Sequence, residues 1–114
     1  MDLSNTMGGS ISGMRAAAKQ MALSAHNVAN AQTPGFRAER TTIEELPSGG
    51  VTASVEPVAV AASAISTSQS LWVSNVDLSL EFIRQTLVNQ ACKASSAVLR
   101  NANQETKDIL RLVA

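Results

Sequence analysis

Between residues 11 and 36 the chain reads ISGMRAAAKQMALSAHNVANAQTPGF, and Ile11, Met14, Ala18, Met21, Ala25 and Val28 recur at spacings of 3, 4, 3, 4 and 3. That alternation is the seam of a helix that lies along another helix. Gly8 and Gly9 weaken any helix ahead of it, and Ser10 is the expected N-cap. The expected stop is chemical. Thr33 is pushed out of the α region by Pro34, Gly35 permits a sharp change of direction, and Phe36 follows as an apolar anchor. A helix over 10–32 results, of roughly 30 Å at 1.5 Å per residue.

A second, longer stripe occupies the last third. Leu80, Ile83, Leu87, Ala91, Ala94, Val98 and Ala102 recur at 3, 4, 4, 3, 4 and 4, and Ile109 and Leu112 extend the series past the misfit Glu105. An eleven-residue repeat of this kind runs nearly straight along a helix. Asn75 or Asp77 supplies the cap, and Glu81 stands near the positive end of the helix dipole. The expected helix covers 76–112. Adjacent apolar pairs such as Leu87-Val88, Val98-Leu99 and Ile109-Leu110 make its apolar sector wider than one partner helix requires. Apolar area left over in this way marks an interaction surface.

The segment 37–73 changes character. Thr41, Thr42 and Ile43 favour extended backbone, Pro47-Ser48-Gly49-Gly50 is a turn signal, and Val51, Ala53 and Val55 alternate with polar residues. A hairpin with strands near 40–46 and 51–57 is expected, lying against a helix or a neighbouring subunit because two strands alone are marginal in water. Residues 57–70 have no clear period and are open between a linker, a third strand and the start of the second helix. Trp72 is expected to pack over the helix pair.

At 114 residues the chain has room for one domain, 1–114. Nine basic and nine acidic residues cancel, so no net field recommends nucleic acid or an anionic membrane. Eighteen residues are Ala while the only aromatics are Phe36, Trp72 and Phe82, a composition that brings backbones close but fills a compact core poorly. The fold class expected is mainly α: long N- and C-terminal helices packed as a coiled-coil-like pair, with a small hairpin or irregular segment between them. The start, MDLSNTMGG, lacks the basic and apolar regions of a signal peptide. No apolar run approaches the length of a membrane span.

Catalytic chemistry finds no foothold in these residues. His26 has no further ligand-type residue at i+3 or i+4. Glu44 and Glu45 point to opposite faces of a strand, which defeats a carboxylate dyad. Cys92 has no neighbouring His and reads as a packed thiol. Gly8-Gly9 and Gly49-Gly50 lack the Lys of a phosphate loop, and Arg15, Lys19, Arg37 and Arg40 are too sparse for a nucleic-acid face. No catalytic, metal or cofactor-binding residue is assigned, and no small-molecule substrate is expected.

The alternating apolar helix, Asn27 and Asn30, and the closing ANAQTPGF resemble the signature of bacterial flagellar rod, hook and hook-associated proteins. The segment NVDLSLEFIRQTLVNQACKASSAVL is similar to the closing helix of the same family. Departures are visible: Gln32 stands where Asn is usual, Cys92 where Tyr or Phe is usual, Ser95 where Asn is usual, and Glu105-Thr106 where apolar residues are usual. Only about 35 residues separate the two ends, which favours a likeness to the short proximal rod proteins. The resemblance implies an axial subunit of the basal-body rod that leaves the cytoplasm through the flagellar export apparatus without a cleaved signal. Its partners would be itself and other axial proteins of rod and hook, and its role the transmission of torque by a helical tube.

The expected subunit contacts are Ile11, Met14, Met21, Asn27, Val28, Asn30, Pro34, Gly35 and Phe36 in the first part, and Leu80, Ile83, Leu87, Ala91, Ala94, Val98, Ile109 and Leu112 in the second. For Asn27 and Asn30 two readings stand: a solvated residue and a helix cap, or, as the resemblance implies, a pair of amides bridging to a neighbouring subunit. A helical adaptor that binds one partner helix, a subunit of a related export needle and a reduced rod paralogue acting in assembly are the alternatives.

Overall fold

Helix α1 covers Leu3–Ala29 and helix α2 covers Leu78–Val113. Between them lie strands β1, Glu39–Glu45, and β2, Val51–Pro57. The computed structural model describes residues 3–59 and 73–113; Trp72 and most of the segment left open above lie outside them.

The start of α1 differs from expectation. The helix runs unbroken through Gly8 and Gly9, and the Ser10 hydroxyl donates to the carbonyl of Thr6 at 2.9 Å as a mid-helix residue rather than a cap. Two glycines cost about 1 kcal/mol each in a helix. Here Gly50 at the tip of the hairpin lies against Gly9, and Leu99, Arg100 and Asn103 of α2 lie beside Met7 and Ile11. The helix also stops earlier than Pro34 requires. Asn30 and Ala31 close it with tightened turns onto His26, Asn27 and Val28, and the Asn30 side chain donates to the His26 carbonyl at 2.9 Å. Thr33 to Phe36 then form a separate β-turn, closed by the Phe36 amide on the Thr33 carbonyl at 3.1 Å. Pro34 and Gly35 hold the central positions, and Gly35 has φ 74°. That is the type II arrangement, with Pro first and a left-handed Gly second.

The hairpin meets its predicted place closely. β1 and β2 pair antiparallel from Glu39↔Pro57 to Glu45↔Val51. Gly49 and Gly50, at φ 88° and 87°, carry the turn. The hairpin lies lengthwise on α1. At its base the Asn27 amide brackets Glu39, accepting from its N–H at 3.2 Å and donating to its carbonyl at 2.7 Å. Midway, Lys19 donates to the Ala53 carbonyl at 2.7 Å. At the tip, Ser12 accepts from the Val51 amide at 3.1 Å, and a Cβ on Gly50 would stand only 2.5 Å from the Ser12 hydroxyl. Gly50 is therefore needed twice, for its φ and for its closeness to α1.

α1 and α2 pack antiparallel. A Cβ on Gly13 would sit 3.4 Å from the Ser95 hydroxyl, while Ser24 and Asn27 meet Glu81 and Gln85. The two facing seams are Gly13, Ala17, Gln20, Ser24 and Asn27 on α1, and Glu81, Gln85, Val88, Cys92, Ser95, Leu99 and Ala102 on α2. Both follow alternating steps of 4 and 3 and are buried or half-buried throughout. The coiled-coil spacing is present, but on small and polar residues. The stripes read from hydrophobicity lie one residue away in most turns, hence rotated by about 100°. Among the described residues the buried apolar side chains are Ala16, Ala17, Ala38, Val88 and Ala102.

Asp77 caps α2, its carboxylate accepting from the Leu80 amide at 3.1 Å. Asn75 has a different task. Its side chain accepts from the Ala38 amide at 2.6 Å, tying the approach to α2 against the chain leaving α1.

Candidate functional site

The outward face of α2 carries what the helix pair leaves uncovered. Leu80, Ile83, Leu87, Val98, Ile109 and Leu112 are all exposed, Ile83 and Leu87 at 57 and 58%. Ala91 and Ala94 are exposed beside them. Apart from Ala102, which is buried in the seam, the sequence-derived series on α2 shares one face that is left exposed among the described residues. Leu78, Phe82, Leu110 and Val113 are exposed as well, at other angles around α2, and periodicity does not single them out because each lies off the strict repeat.

On α1 the expected contacts divide. Ile11 is exposed, whereas Met14, Met21 and Val28 are half-buried on the flank of the seam. Met14 reaches α2, where the Ser96 hydroxyl lies 3.9 Å from its sulfur. Pro34 and Gly35 are exposed in their turn. Phe36 is half-buried, its ring edge-on to His26 with centroids 5.5 Å apart.

Asn27 requires correction. It is neither solvated nor open to a neighbouring subunit: it is 1% exposed, and both ends of its amide are engaged inside the chain. Nδ2 donates to Glu39 O and, at 3.1 Å, to Glu81 Oε1, while Oδ1 accepts from Glu39 N. One side chain thus joins α1, β1 and α2. Burial leaves it no face for an outside partner, and a buried amide needs all its bonds made locally. Asn30 is the cap of the alternative reading, with its oxygen also accepting from the Thr33 hydroxyl at 3.2 Å.

Glu81 completes the network and is the residue sequence reasoning undervalued. Placed for the helix dipole, it is instead 2% exposed at the junction of three elements. Its Oε1 accepts from Asn27 and from Arg84 Nη1 at 2.9 Å. Its backbone carbonyl accepts from the Ser24 hydroxyl at 3.4 Å, and that hydroxyl accepts from Gln85 Nε2 at 3.2 Å. Glu81 Oε2 and Thr41 Oγ1 are buried without a hydrogen-bond partner. Both residues line a cleft of about 310 Å³ between α1, β1 and α2, whose apolar wall includes Leu23, Leu87, Val88 and Ala91. A helical seam of polar residues was the available signal for this site.

Residues 10–37 match the family model described as flagella basal body rod protein. That segment comprises most of α1, the Asn30 cap, the Thr-Pro-Gly turn and Phe36. No curated protein matches the chain.

Proposed function

We propose, from the match of residues 10–37 to the family model described as flagella basal body rod protein, that this chain is a subunit of the flagellar rod which assembles through the outward faces of its helices. The family is structural and belongs to the basal body, and association with other axial proteins follows from it. The finer reading is that copies of the chain stack into a helical tube, alone or with other rod and hook proteins, and that the tube transmits torque. The likeness to short proximal rod proteins, export through the flagellar apparatus without a cleaved signal, and a rod that spans the periplasm belong to the same reading.

The observation that carries it is the inversion of the helix pair, with small residues inside and large ones outside. Burying alanines releases little free energy, whereas fully burying a Leu, Ile, Val or Phe contributes about 1.5–3 kcal/mol. Ten such side chains on α2 are exposed in the monomer, from Leu78 to Val113. Covering them releases on the order of 10 kcal/mol before the losses of association are counted. Contacts that leave different patches facing each other generate an open helical array rather than a closed dimer.

The test is sedimentation of the purified chain beside a variant carrying both Leu87→Asp and Val98→Asp. The parent is expected to associate progressively with concentration, and the variant to remain monomeric with an unchanged helical spectrum, since neither side chain is buried in the monomer. Cells carrying the variant are expected to lose motility. A parent that stays monomeric, or a variant that assembles and supports swimming, overturns the proposal.

A further inference from the structure

The cleft beside Asn27 has a wall of apolar side chains and two acceptor groups without donors, Glu81 Oε2 and Thr41 Oγ1. Glu81 is 2% exposed, so no bulk water compensates its oxygen. A buried polar atom left unpaired costs about 1–3 kcal/mol, more when the group is charged. Thr41 and Glu81 both belong to the lining of the cleft. A ligand suited to the site brings an N–H at its tip and an apolar stem behind it. The charged groups around the cleft, Glu39 and Glu81 against Arg40 and Arg84, balance, so an uncharged donor fits better than a lysine.

The outward face of α2 holds the complementary problem. Gln90 flanks the apolar stripe, three residues after Leu87 and four before Ala94, and is exposed. When that stripe is covered, its amide needs an acceptor. Leu87 and Ala91 belong both to the stripe and to the rim of the cleft, so the two surfaces are continuous.

We propose that the cleft receives the side-chain amide of Gln90 from a second copy of this chain. The inference rests on the self-association proposed above and names its register. The donor amide lies on one face of α2 and the acceptors lie between α1, β1 and α2. Each copy therefore gives one such contact and takes another.

Cysteine cross-linking of the full chain tests it, in a Cys92→Ala background. Thr41→Cys combined with Gln90→Cys is expected to give concentration-dependent disulfide ladders beyond the dimer under mild oxidation. Glu44→Cys, exposed at the far end of β1, combined with Gln90→Cys is expected to give none. In sedimentation, Thr41→Val and Gln90→Leu are each expected to weaken association about tenfold. The double variant should lose little more than either, because the two groups act as one contact. If association depends on Leu87 and Val98 yet no ladder forms and the two losses add independently, this register is wrong while the rod reading stands. A cross-link confined within single chains also overturns it. A parent chain that does not associate sinks both.

Discussion

Asn27 is the residue on which the three elements converge, because its amide serves Glu39 on both sides and Glu81 across the helix pair. Replacing it by Ala removes these bonds together and leaves the buried Glu81 carboxylate with Arg84 as its remaining partner. The expected loss is about 2–4 kcal/mol in urea unfolding of the monomer. A change below about 0.5 kcal/mol would mean that Glu81 finds water or another donor. Gly50 is the second sensitive point. Gly50→Ala forces a left-handed φ on a Cβ residue and drives that Cβ against Ser12, so the expected cost is about 1–3 kcal/mol and exceeds that of Gly49→Ala, where the added Cβ meets open space. Equal losses at the two positions would show that the hairpin tip does not rest on α1. Pro34 is expected to matter less than its place in the sequence suggested. The helix is already closed by Asn30, so Pro34→Ala leaves helix content unchanged and costs under about 1 kcal/mol through turn entropy. A gain in helical signal by circular dichroism would reinstate the proline as the stop.

At the level of elements, the two helices, the hairpin and its turn could be read from residue order, since capping groups, β-branched residues and Pro-Gly pairs act locally. What could not be read was which face of each helix meets the other. Hydrophobic periodicity selects the stripe with the largest apolar side chains, and on α2 that stripe points outward. Gly13, Ala17, Ser24 and Asn27 lie one position before Met14, Ala18, Ala25 and Val28, so the correct spacing was assigned to the neighbouring face. Glu81 was legible only as a helix-end carboxylate, because Asn27, which joins it to α1 and β1, lies 54 positions away. The close seam makes its own prediction. Ala17→Leu, a gain in apolar volume at a position 5% exposed, is expected to separate the helices and destabilise the monomer by about 1–3 kcal/mol. The same enlargement at the exposed Ala94 is expected to leave the monomer unchanged in thermal melting. If both melt alike, the seam is not tightly packed.

The whole molecule measures 72 × 25 × 15 Å, with a radius of gyration of 19.4 Å. A compact chain of this length has a radius of about 13 Å. An outline this thin exposes most of its backbone layer to solvent exchange, and the free chain should open readily. Hydrogen exchange is expected to be slowest where the seams face each other, around 13–27 and 81–95, and fastest over 103–113, with the latter slowing on assembly. Uniform protection across α2 in the free chain would contradict this. The pairing of Gly13 with Ser95 and of Asn27 with Glu81 brings Leu3 level with the region of Glu105, so the last two turns of α2 run on beyond the described start of α1. Among the described residues these turns carry Leu112 and Val113 exposed, whereas at the opposite end Asn75 and Phe36 tie the connecting chain down. A helix pair whose two ends are unlike has a direction. Any column of such particles stacked in a common sense inherits that direction, and lengthens differently at its two tips.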